Sequence, residues 1–229
     1  FINNLKLAQF SVEREIYKTR YRVEINNNRF TIDDILGEGI FVEFNYDLIS
    51  QWAKTKTVLD RVKKIDTRFK KSLYGKSSMK QITPGFILLH TISHLLLNQL
   101  SFECGYNVAS LKERIYYSDC NKRSGILIYT ANGDSEGSLG GLVRQGMFDV
   151  FPFILSKAMD SAKFCSNDPV CSCSSGQGRD SFNLAACHSC VLLPETCCEE
   201  FNGFLDRGLL VGTLDSEDFG FLTYCGKND

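Results

Sequence analysis

Long apolar runs are missing from this 229-residue chain; the longest, such as FILLH and VLL, fall far short of the roughly 20 residues a membrane helix needs. No charged start followed by an apolar segment is present either, so nothing suggests secretion, and the reading places the protein in the cytoplasm. Internal repeats and low-complexity tracts are absent. The glycine-rich stretch GDSEGSLGGL could cradle a phosphate with backbone amides. It lacks the G-K-[ST] ending of a nucleotide-binding P-loop, so the chain does not read as an ATPase by itself. The first residue is Phe rather than Met, and FINNLKLAQFSV reads as a strand already under way, so a fragment of a longer chain is expected.

What remains is ordinary globular material, 43% hydrophobic and 23% charged, enough for one large domain or two small ones. Residues 1–50 alternate as strands do in LKLAQFSV, YRVEI, RFTI and GIFVEF. KTKTVLDRVKKIDTRFKKSLYG puts Val58, Val62, Ile65 and Phe69 on one helical face, with Gly75 as a stop. Thr83-Pro84 opens a helix that runs to Gly105 and is apolar nearly all round, hence central and buried. SLKERIYYS reads as a short helix from Ser110, SGILIYT as an interior strand, and MFDVFPFILSKAMDSAKF as a second apolar helix kinked or started by Pro152. EEFNGFLDRGLL reads as a short helix and SEDFGFLTYCGKND as a last strand. The expected class is α+β: a mixed sheet, a central buried helix pair and a cysteine-rich zinc knuckle. Residues 1–80 form a strand-rich segment with a basic helix packed on the rest, and 81–229 form the second unit.

Ten cysteines without a secretory context read as thiols or metal ligands rather than disulfides. Seven lie between Cys165 and Glu200. Cys187-His188-Ser189-Cys190 is a C-x-x-C turn, a spacing that lets two thiolates face one tetrahedral ion, and zinc is the default for sulfur-rich sites. Cys165 and Cys171 precede this turn and Cys198 follows it, five candidates for four places; Cys173 and Cys197 add to the choice. The irregular chain around them has little apolar material, so a bound zinc would supply folding free energy directly. Unligated thiols and redox chemistry are the alternatives. A thioredoxin-type site is disfavoured because its C-x-x-C opens a helix after a strand.

His90 and His94 stand four apart on the buried helix and share a face, as the ligands of H-E-x-x-H do. The residue after His90 is Thr, not the Glu that would act as base. A structural network of histidines and carboxylates is therefore the preferred reading. Asp134 and Glu136, after an interior strand, could bring carboxylates to the same place and make a second metal or hydrolytic centre.

Between Lys54 and Lys80 stand ten lysines or arginines and two aspartates, a local +8 in a chain of net charge -1. Such a helix can neutralise phosphates without reading bases, and Lys63, Lys64, Arg68, Lys70 and Lys71 are the candidate DNA contacts. A solvated helix face is the plainer reading. Aromatics are scarce there (Trp52, Phe69, Tyr74), so single-strand stacking is only weakly indicated.

Several of these stretches occur in an order that resembles one family. They are GEGIFVEF, TPGFILLHTISHLLLNQLSFECGYNVASLKERIY, GILIYTANGDSEGSLGGLV and CSNDPVC…AACHSCVLLPETCCEEFNGFLDRGLLV. From about Gly37 to Val211 they look like the C-terminal zinc-binding module of the DrmB family. Its members are helicase-partner subunits of the DISARM anti-phage system, and the module is related to the Mrf-type zinc-binding domain appended to some superfamily 2 helicases. The resemblance implies a helicase-associated module over 81–229, zinc as cofactor, and recurring cysteines at the positions of Cys165, Cys171, Cys187, Cys190 and Cys198. Within PETCCE, Cys198 takes the usual place; Cys197 and Cys173 are additions. It further implies a non-catalytic DNA-binding and docking module acting with a helicase subunit. The alternatives are a metal-dependent hydrolase or nuclease built on His90, His94, Asp134 and Glu136, and a purely architectural interaction domain.

Overall fold

The computed structural model describes residues 6–11, 21–25, 28–32, 38–130 and 141–227. A four-stranded sheet runs in the order β1-β4-β6-β5, from β1 (Lys6–Ser11), β4 (Glu38–Glu43), β5 (Leu111–Ser118) and β6 (Arg123–Thr130). The strands β2 (Tyr21–Ile25) and β3 (Asn28–Ile32) pair as a separate hairpin. Among the described residues every ladder is antiparallel, not the mixed sheet expected, because β5 returns directly into β6 and β4 lies antiparallel beside it.

The sheet packs on α4 (Pro84–Cys104), the central helix. Its start follows from two residues: the Thr83 hydroxyl accepts the Phe86 N–H at 3.3 Å, and Pro84 takes the first turn, where no amide is needed. Its end is Gly105, whose φ of 71° is left-handed and costs little without a Cβ. Between them Ile87, Leu88, Leu89, Ile92, Leu96, Leu97 and Leu100 are fully buried, as are His90 and His94. The second buried helix, α6 (Phe151–Ser161), carries Pro152 in its first turn and lies along α4. Among the described residues no helix is long and apolar enough to cross a membrane.

The helix α1 (Tyr46–Ala53) leads into α2 (Lys56–Lys71), which buries Val58, Val62, Ile65 and Phe69 as its spacing predicts. It stops at Ser72, which caps the next turn, α3 (Leu73–Ser77), through the Gly75 N–H at 3.0 Å. The 1–80 segment is tied to the rest through both its sheet and its basic helix. β4 pairs with β6, and Phe69 meets Phe182 and Phe204 edge-on at 5.8 and 5.1 Å.

Three local expectations fail. Residues 111–118 form strand β5, not a helix, with only Val108–Ser110 turning helically before it. Lys112, Glu113 and Arg114 favour helix, but an eight-residue ladder to β6 overrides that weak preference. The segment 199–207 is irregular, and only α7 (Gly208–Val211) is helical. Phe201, Asn202 and Phe204 sit at φ of 49°, 59° and 63°, which a right-handed helix cannot contain. The tail forms α8 (Phe221–Gly226) rather than a strand, turning Phe221 and Cys225 together into the core. The short α5 (Gly141–Gln145) completes the set; the buried Glu38 carboxylate accepts the N–H groups of Leu142 and Val143 at 3.1 and 3.0 Å.

Candidate metal centre

Cys187 and Cys190 bracket a tight turn in which the Cys187 carbonyl accepts the N–H groups of both Cys190 and Val191 at 3.1 Å. Reversing the chain within three residues brings the two sulfurs to 3.7 Å. Cys165 and Cys171 arrive from the turns after α6: Cys165 Sγ lies 3.5 Å from Cys187 Sγ, and Cys171 Sγ lies 3.8 Å from Cys190 Sγ. All four sulfurs fall within 4.8 Å of one another. Four thiolates on one zinc at about 2.3 Å would stand about 3.8 Å apart, so the quartet fits a tetrahedral ion.

The surroundings suit thiolates. The Asn167 side-chain amide points at Cys187 Sγ (3.4 Å), that of Gln177 at Cys171 Sγ (3.5 Å), and the Cys187 N–H at Cys190 Sγ (3.3 Å). The Cys190 hydrogen bond holds the Cys171 thiol down at about 5, and the same bond drives Cys190 upward. One member of the pair thus gives up its proton readily, as an incoming cation requires.

Two ion pairs hold this lobe in place, and neither is evident in the sequence. Asp206 receives the Arg61 guanidinium of α2 on both oxygens, at 2.6 and 2.9 Å, and accepts the N–H groups of Ala185 and Gly208. Its neighbour Arg207 clasps Asp168 between Cys165 and Cys171 and donates to the Ala162 carbonyl at 3.1 Å. The lobe also carries more apolar material than expected: Phe182 stacks on Phe204 at 5.2 Å, and Leu184, Ala186, Val191 and Leu193 join the core.

Cys198 is not with the four sulfurs. It lies with His90, His94 and Glu113 in a second group, buried throughout. His90 Nε2 is 3.1 Å from Cys198 Sγ and 2.9 Å from Glu113 Oε1, and His94 Nε2 is 3.3 Å from the same oxygen. Burial opposes charge on both rings, but Glu113 and then Cys198 outweigh it. His90 is raised well above its usual range and His94 to about 9, while Glu113 and Cys198 are held low. Glu113 was missed because its stretch reads as a helix. Read as a strand, Leu111, Glu113 and Ile115 share one face, and a carboxylate on an apolar face is the signal. Asp134 and Glu136, the carboxylates expected beside the histidines, lie outside the described residues. Of the surplus thiols, Cys173 points to Asp215 at 3.4 Å and Cys197 to the Val108 carbonyl at 3.1 Å, both away from the quartet.

The candidate DNA residues divide. Lys63, Lys64, Lys70 and Lys71 are exposed on α2, with Lys70 at 2.6 Å from Asp66. Arg68 turns inward instead, donating to the carbonyls of Ser181 (3.1 Å) and Ser175 and so pinning the loop between the cysteine pairs.

Comparison with known proteins agrees with this geometry. The family model described as the MrfA Zn-binding domain matches residues 92–191, which include all four cysteines of the quartet. Over 190 residues, 80% of its length, the chain is 40% identical to the DISARM protein DrmB of Bacillus paralicheniformis (strain ATCC 9945a / NCIMB 11709 / CD-2). It covers 33% of that relative. The chain thus carries a DrmB-like, MrfA-type zinc-binding domain, with zinc as its metal.

Proposed function

We propose that the chain is a zinc-stabilised, non-catalytic DNA-binding and docking module of an anti-phage defence complex, acting beside a superfamily 2 helicase subunit. Cys165, Cys171, Cys187 and Cys190 are the zinc ligands in this reading. The observation that carries it is the four-sulfur cage itself, whose separations of 3.5 to 3.8 Å match a closed tetrahedral site. Four protein ligands leave no position for a substrate or an activated water, so the ion's work is structural. The defence role rests on the likeness to the DISARM protein DrmB.

The DNA role rests on α2. Lys56, Lys63 and Lys70 recur every seven residues, and Lys64 and Lys71 flank them, giving an exposed basic stripe opposite the buried Val58–Phe69 face. Phosphates met by such a stripe are bound without regard to sequence and with strong salt dependence. The structural reading is preferred to the hydrolase because His90 and His94 are fully buried.

The test is a salt titration of binding to arbitrary duplexes. Reversing the charge of Lys63, Lys64, Lys70 and Lys71 should weaken affinity at low salt. If four phosphate contacts are lost, the slope of log K against log salt should flatten by about 3 to 4. Unchanged affinity and slope would retire the DNA role and leave an architectural module that docks only on protein.

A further inference from the structure

A carboxylate and a thiol buried side by side, as Glu113 and Cys198 are, need compensating positive charge if either is ionised. In the group of His90, His94, Glu113 and Cys198 that charge could come from two imidazolium protons or from one divalent cation. The hydrogen bonds decide between them.

Each histidine has its Nδ1 on a backbone carbonyl, His94 on Val191 at 3.0 Å and His90 on Phe204 at 3.3 Å. That arrangement puts a proton on Nδ1 and turns the Nε2 lone pair inward, the usual second-shell support of a metal-binding histidine. Glu113 has one oxygen, Oε2, hydrogen-bonded by the Ser93 hydroxyl, and Oε1 turned to the histidines. Cys198 Sγ accepts two backbone N–H groups, from Glu200 and Asn202, each at 3.3 Å, as a thiolate held for a metal does.

In the two-proton arrangement one carboxylate oxygen would have to serve both rings, at 2.9 Å from His90 Nε2 and 3.3 Å from His94 Nε2. His94 Nε2 and Glu113 Oε1 are buried and make no hydrogen bond despite lying 3.3 Å apart. The four donor atoms lie within 4.8 Å of one another, with separations of 2.9 to 3.3 Å among those in contact. A tetrahedral zinc would set such edges at about 3.4 Å, so entry of the ion needs a spread of only tenths of an ångström.

We infer that His90, His94, Glu113 and Cys198 form a second divalent-metal site, separate from the four-cysteine centre. The donor set of two imidazoles, a carboxylate and a thiolate suits zinc among the common biological ions. Full occupation by protein ligands and burial make it a structural clamp. It joins α4 through both histidines, β5 through Glu113 and the segment after Leu193 through Cys198. His90 and Cys198 stand outside the residues matched by the zinc-binding family model.

Metal analysis of the intact protein, purified without chelator, tests this directly. We expect two zinc equivalents per chain, falling to one in the Cys187→Ser/Cys190→Ser variant and to one in the His94→Ala/Cys198→Ala variant. Should the latter fail to fold, the unaltered protein still decides through anomalous scattering at the zinc edge, with one peak expected among the four sulfurs and one between the histidines. A single peak at the four cysteines, with one equivalent in solution, would overturn the second site and leave the first standing. A single peak between the histidines would do the reverse.

Discussion

The helix α4 and the cysteine lobe beside it hold their shapes by different physics. α4 is capped at both ends by its own sequence and packed through buried leucines and isoleucines, so most of its length gains from apolar burial. Between Cys165 and Gly178 the chain has turns but no regular element, and of its side chains only Cys171 and Ser172 are buried. The ordering entropy of that stretch, about 1 to 2 kcal/mol per residue, has no comparable apolar return. On the proposed reading, an ion gripped by the four sulfurs supplies the difference. Residues 182–193 stand between these extremes, with Phe182, Leu184 and Val191 sharing the core that α4 builds. On that reading the metal serves the part of the lobe that faces away from α4.

The sharpest way to break that contrast is to remove ligands. Cys187→Ser/Cys190→Ser should release an ion whose binding free energy, in small zinc modules, is on the order of 10 kcal/mol. Metal content and thermal unfolding together should register the loss; a variant that has lost this ion yet stays fully folded would deny the structural role. A smaller effect comes from the other region. Leu96→Ala, at a fully buried position of α4, should cost about 2 to 5 kcal/mol in chemical unfolding while the zinc content stays unchanged. Zinc lost along with that stability would mean the two regions are not distinct.

The gentlest perturbation is acid. A thiol whose folded value is depressed, as Cys171 is, stabilises the folded form fully above its free value of roughly 8.5. That contribution shrinks below there and is gone once pH has dropped through about 5. Zinc should therefore leave on acidification, and alkaline titration should not release it.

How much of this could be read beforehand depended on length and on chemistry. α4 and the buried face of α2 were legible because caps and a 3.6-residue period repeat over several turns. α8 spans six residues, too few to separate its Phe221 and Cys225 spacing from a strand's alternation. The segment 199–207 escaped because its backbone is set by distant partners. Asn202 exchanges hydrogen bonds with both backbone groups of Leu193, and Cys198 Sγ takes two nearby amides. Sequence supplied five cysteines for four places; only the fold separates Cys198 from the other four, because it comes from the segment that runs past His90. Asp206 and Arg207 were unread for a plainer reason: a charged pair in a leucine-rich stretch carries no spacing signal, yet its partners Arg61 and Asp168 are 145 and 39 residues away.

The most direct measurement is amide hydrogen exchange with and without the four-cysteine ion, comparing the intact protein with the Cys187→Ser/Cys190→Ser variant. The account predicts that protection is lost between residues 165 and 178 and around the Cys187–Cys190 turn, while the centre of α4 keeps most of its protection. Unchanged protection of the 165–190 stretch in a variant that has lost that ion would contradict it.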